Sequence, residues 1–113
     1  MDEGSNIASA GPSVDKLSNL TGFEVAAITD DLRREYDIER GTEGVLVTDI
    51  DQNRSAWGDG LRKGDVITSV NRKPIRNLTD YRNLMDGVEE GEYILLRIVR
   101  NNTGFYVPLR IGK

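Results

Sequence analysis

The last quarter of the chain alternates apolar and polar residues twice over, and few folds accommodate that pattern. Ile94, Leu96 and Ile98 fall at every second position, Asn101–Gly104 interrupts, and Phe105, Val107, Leu109 and Ile111 resume the period. A period of two lines one face of a strand, so the two runs predict an antiparallel hairpin closed by the Asn-rich turn. Pro108 has no amide to donate. Its strand therefore lies at a sheet edge, or its ring nitrogen points away from the ladder.

The rest of the chain supplies partners for that hairpin. Short strands are predicted at Phe23–Ala27, at the β-branched Val45–Ile50 and at Asp65–Val70, with a small edge piece at Lys73–Ile75. Thr29 is placed to cap a helix over Asp30–Tyr36, whose two leading Asp suit the positive end. Ser55–Trp57 starts a helical turn that Gly58 and Gly60 end. Asn77 or Thr79 caps a further helix to about Asp86, with Leu78, Tyr81 and Met85 spaced for the core. The fold class is α+β, mainly β: a five- to six-stranded antiparallel barrel or sandwich with two helices. At 113 residues the chain makes one domain. Residues 1–16 are Gly-, Ser-, Ala- and Asn-rich without periodicity and are expected to be a flexible linker or expression remnant, leaving 17–113 as the domain.

Residue inventory excludes several functions. The chain has no Cys and no His, which removes disulfides, thiolate chemistry and any complete Ser-His-Asp triad. No catalytic role is expected for the chain itself. Fifteen Lys and Arg against nineteen Asp and Glu leave a net charge of −4, without the basic excess of a nucleic-acid binder. No apolar run approaches a membrane span, so no membrane insertion is expected, and the opening residues show no export signal. Either a signal was removed or the chain is a piece of something larger. Asp49, Asp51 and Asn53 look like the start of a calcium loop, but Arg54 and Gly60 stand where that loop needs Gly and a bidentate Glu. Glu89, Glu90 and Glu92 read as a solvated loop, since nothing apolar nearby would separate their pKa values. No metal or other cofactor is expected.

Two stretches are more specific. Gly60-Leu61-Arg62-Lys63-Gly64-Asp65-Val66-Ile67-Thr68-Ser69-Val70-Asn71 resembles the Gly-Leu-x-x-Gly-Asp-x-Ile-x-x-Val-Asn signature of PDZ domains. Leu20-Thr21-Gly22-Phe23 resembles that family's carboxylate-binding loop, with Thr21 in place of an apolar residue. The loop opens the chain's first strand and the last strand fills the place of the usual first one. That permuted order is similar to the PDZ domains of bacterial HtrA/Deg serine proteases, and to the second of their two in particular. Ile28-Thr29-Asp30-Asp31-Leu32, Gly44–Thr48 and the Ser55–Leu61 segment extend the likeness over residues 18–111.

The resemblance implies a peptide-binding module that takes an extended chain end by strand addition along Phe23–Ala27. The amides of Thr21, Gly22 and Phe23 would hold a terminal carboxylate, with Leu20 at the head of the loop. Glu24, Val25 and Ala26 would continue the edge. Phe23, Val25 and Leu84 would line the pocket for the last side chain, although Leu84 also fits an ordinary core position. Asp80 would meet the side chain two before the end. Implied partners are C-termini or unfolded segments of proteins, with the protease and PDZ domains of the same oligomer as a further set. The implied setting is a serine endoprotease of protein quality control in the periplasm or cell envelope. The alternative is a PDZ module that mediates oligomer assembly or interdomain contacts.

Overall fold

A computed structural model describes Leu17 and residues 20–112. The expected linker at residues 1–16 lies outside the described residues. Among the described residues from Phe23 on, six strands and three short helices follow one another: β1 (Phe23–Ala27), α1 (Asp30–Glu35), β2 (Val45–Ile50), α2 (Ser55–Gly58), β3 (Val66–Val70), β4 (Lys73–Pro74), α3 (Leu78–Met85), β5 (Tyr93–Arg100) and β6 (Thr103–Arg110). The strands form a single antiparallel sheet in the order β1-β2-β3-β5-β6, with β4 paired to β3.

Local chemistry explains the element ends. Thr29 Oγ1 accepts from the Leu32 amide at 3.2 Å and starts α1. Asn77 Oδ1 accepts from the Asp80 amide at 2.8 Å, which makes Asn77, not Thr79, the cap of α3. The final turn is tighter than the sequence pattern implies. Asn101 and Asn102 have φ of 52° and 63° and are the only two loop residues, because Arg100 already pairs with Thr103. Two consecutive left-handed residues make a type I′ turn, and Asn tolerates that region better than most side chains. Arg110, two residues beyond Pro108 in β6, donates its amide outward to Asp59 Oδ2 at 2.8 Å. Strand periodicity therefore turns the Pro108 nitrogen outward too, on a strand that ends the sheet, so no ladder bond is lost.

Asp65, expected in the third strand, precedes it instead. Its carboxylate accepts from the Arg62 amide at 2.8 Å and from Arg100 Nε and Nη2, both at 2.7 Å. These hydrogen bonds raise the Arg100 pKa above its ordinary value against the opposing effect of partial burial. The apolar core collects Phe23, Val45, Val47 and Ile67 with Leu96, Ile98 and Leu109 of the hairpin, and α3 adds Tyr81 and Met85.

Burial pushes the Tyr81 phenol well above its usual range. A raised folded-state pKa means the folded chain holds its proton when the unfolded chain has lost it. The Tyr81 contribution is complete below the unfolded value of about 10 and declines as pH rises beyond it. Urea midpoints should therefore fall above about pH 10, and Tyr81→Phe should flatten that decline. An unchanged alkaline slope in the variant would refute the assignment.

Candidate functional site

β1 ends the sheet and pairs only with β2 among the described residues, so one long side of it carries no strand. Helix α3 shares the core with that strand through Tyr81, Met85 and the half-buried Leu84. The geometry of β1 begins with the segment just before it. Leu17, Leu20 and Thr21 are helical, and Gly22 leaves the turn with φ of 84°. Glycine suits that position because a left-handed backbone strains any other residue.

A helical end carries partial negative charge on its carbonyls, which opposes a carboxylate ligand. Arg54 offsets it. Its Nη2 donates to the Leu20 carbonyl at 2.9 Å, its Nε donates to the Gly112 carbonyl at 3.0 Å, and its side chain lies over the Gly22 α-carbon. On the same side, the Asp51 amide donates to the Gly22 carbonyl at 2.8 Å. A planar trans peptide then points the Phe23 amide the other way, away from β2. That amide meets Thr21 Oγ1 at 3.3 Å.

The sequence-predicted residues divide between surface and core. Thr21 is fully buried and Phe23 is 2% exposed, and Val25 is nearly as covered. The last two side chains therefore belong to the core as well as to the strand edge. Leu20, Ala26 and Leu84 are half-buried, Leu20 and Leu84 being packed against the core. Glu24 is exposed and pairs across the ladder with Asp49, immediately before a bulge. Asp80 is half-buried, accepts from the Arg76 amide at 3.1 Å and lies 3.8 Å from Arg76 Nε. Its carboxylate is thus already engaged by the start of its own helix.

A hollow of about 230 Å³ adjoins the loop, with Glu24, Asp49, Asp51 and Arg54 in its wall and neither Asp80 nor Leu84. Arg54 is the residue that sequence reasoning missed. In the sequence pattern it stands only where a calcium loop would need Gly. Its one local signal was a long donor side chain immediately before a short helix.

Comparison with known proteins agrees with this architecture. The sequence pattern of the PDZ domain family matches residues 11–107. A probable periplasmic serine endoprotease, DegP-like, of Pseudomonas fulva (strain 12-X) is 28% identical over 112 residues, covering 99% of this chain and 22% of the relative. The DegP-like protein of Rickettsia conorii (strain ATCC VR-613 / Malish 7) is 30% identical over 86 residues, which is 74% of this chain and 16% of that protein. The chain thus spans less than a quarter of these relatives. Among solved structures, the HtrA-type protease AlgW with a decapeptide superposes with a TM-score of 0.71 at 24% identity, over 80% of this chain and 28% of that one. The HtrA3 PDZ domain bound to a phage-derived ligand (FGRWV) gives 0.64 at 22% identity, over 80% of this chain and 82% of that one. Sheet order, signature and family pattern agree: this chain belongs to the PDZ domain family.

Proposed function

We propose that the chain is a peptide-binding module that takes an extended C-terminal or unfolded segment as an added strand on β1. The observation that carries this reading is the side of β1 that pairs with no strand among the described residues, bordered by the Leu20–Phe23 segment at one end. Unused backbone donors and acceptors along a strand are what strand addition consumes, and the side chains beside them set preference. Phe23–Ala26 supply the edge, and Leu20, Thr21 and Gly22 the loop at its head. Leu84 and Asp80 form the opposing wall. The peptide-bound HtrA-type neighbours support this assignment.

The chain itself performs no catalysis in this reading, since its inventory lacks an imidazole base. Its place is within a DegP-like serine endoprotease of the cell envelope, where it presents chain ends or unfolded segments for quality control. Relatives named as periplasmic endoproteases support that setting. No helix among the described residues is long and apolar enough to cross a membrane.

A peptide ending in Val with a free carboxylate tests the site. It should shift the amide resonances of residues 20–27 and 80–87 in a 15N-labelled chain. Leu84→Lys puts an ammonium against the apolar wall and should weaken binding about tenfold, or about 1.4 kcal/mol. Shifts confined to the β5–β6 face, with affinity unaffected by Leu84→Lys, would reject the groove and favour an assembly module.

A further inference from the structure

We infer that Thr21 is a latch on the first rung of the β1 edge, and that a ligand's terminal carboxylate must displace it. This rests on the groove reading above. It turns on the residue where the sequence departs from the family pattern.

In an antiparallel strand a residue's own amide and carbonyl point to the same side. The bond from the Asp51 amide to the Gly22 carbonyl fixes that side for Phe23: both of its backbone groups face away from β2, toward the unpartnered edge. Thr21 Oγ1 lies on both. It accepts from the Phe23 amide at 3.3 Å and lies 3.1 Å from the Phe23 carbonyl oxygen. The hydroxyl also donates to the Leu17 carbonyl at 2.8 Å, the shortest of the three contacts. The side chain is fully buried, so water does not compete for these contacts.

An apolar residue at position 21 has no acceptor to offer, and the Phe23 amide would wait for a ligand. Threonine satisfies it internally. The 3.3 Å separation is near the long limit for an N–H···O bond, and a carboxylate accepts roughly twice as strongly as a neutral oxygen. The ligand therefore wins the amide, with its net gain reduced by the bond it replaces. Position 21 thus sets how far a free chain end is preferred over an internal segment, which needs only the later rungs at Val25 and Ala27.

Thr21→Val keeps the shape and removes the acceptor. The free-carboxylate Val peptide should bind Thr21→Val about 3- to 10-fold tighter than the wild type, the scale of one net hydrogen bond. The same peptide capped as an amide should bind both equally, and Thr21→Ser should behave as the wild type. Equal or weaker binding of the free acid by Thr21→Val overturns the latch. Hydrogen exchange of the Phe23 amide in the unliganded wild type tests it without a variant: protection supports the latch, and exchange at the unprotected rate overturns it. Peptide shifts away from residues 20–27 in every variant would instead overturn the groove reading, whatever the Phe23 exchange rate.

Discussion

Gly44→Ala should destabilise the domain by about 3–5 kcal/mol and lower its melting temperature by roughly 15–30 °C. A Cβ at position 44 would sit 2.0 Å from the Ile67 carbonyl oxygen and 2.9 Å from its carbon, where the neighbour is backbone and cannot rotate aside. The φ of 144° adds strain for any L side chain. The clash falls where β2 meets β3, since Val45 pairs with Ile67 directly after it. Relief would have to come from parting the two central strands. Gly58→Ala is the matched control: it ends α2 with nothing within 4 Å of the added carbon, and should change stability by no more than about 0.5 kcal/mol. Equal effects in the two variants, measured by urea unfolding, would show that the approach of Gly44 to β3 is not the constraint.

Asp65→Ala should cost about 2–4 kcal/mol. The carboxylate is 1% exposed and accepts three hydrogen bonds, two from one guanidinium, so its loss leaves the Arg62 amide without this acceptor and takes two bonds from the Arg100 head. Arg100 also donates to the Gly60 carbonyl at 2.8 Å, and its side chain is 36% exposed. Water can re-solvate part of the head group, which holds the expected loss below that of a fully enclosed pair. Arg100→Met combined with Asp65→Ala should be clearly less damaging than the sum of the two, because they share one interaction. Strict additivity by urea midpoints would mean that the pair is not coupled.

What the sequence made legible was local. Strand periodicity placed β1, β2 and the β5–β6 hairpin, and the caps at Thr29 and Asn77 are chemistry within four residues of the helices they start. The hairpin turn is shorter than the Asn101–Gly104 interruption implies, and Gly104 is the reason. It belongs to β6, and the Arg97 guanidinium lies over it, while Asn101 and Asn102 supply the left-handed backbone. The family signature was legible as well, but not the task of its Asp. Asp65 meets a guanidinium 35 residues away. Arg54 reaches partners 34 and 58 residues distant, on a segment that composition marks only as polar. Such contacts depend on how strands are offset, and the bulges at Glu24/Val25 and Ile67/Ser69 shift that offset without a periodic trace.

The two outer strands differ in a way that bears on polymer growth. A fibre built by edge pairing needs every subunit to offer two bonding sides, one for the copy before it and one for the copy after. Here part of one side is spent: α2 packs against β6, Asp59 takes the Arg110 amide, and Pro108 has no donor at the outward position two residues earlier. Among the described residues the two outer strands are thus unequal: β6 is obstructed at the rungs of Pro108 and Arg110, and β1 has one side that pairs with no strand. A stack that grows through both outer strands would be weakened at every β6 joint. On the peptide-binding reading proposed above, a guest strand on β1 would leave only that obstructed joint to extend the stack.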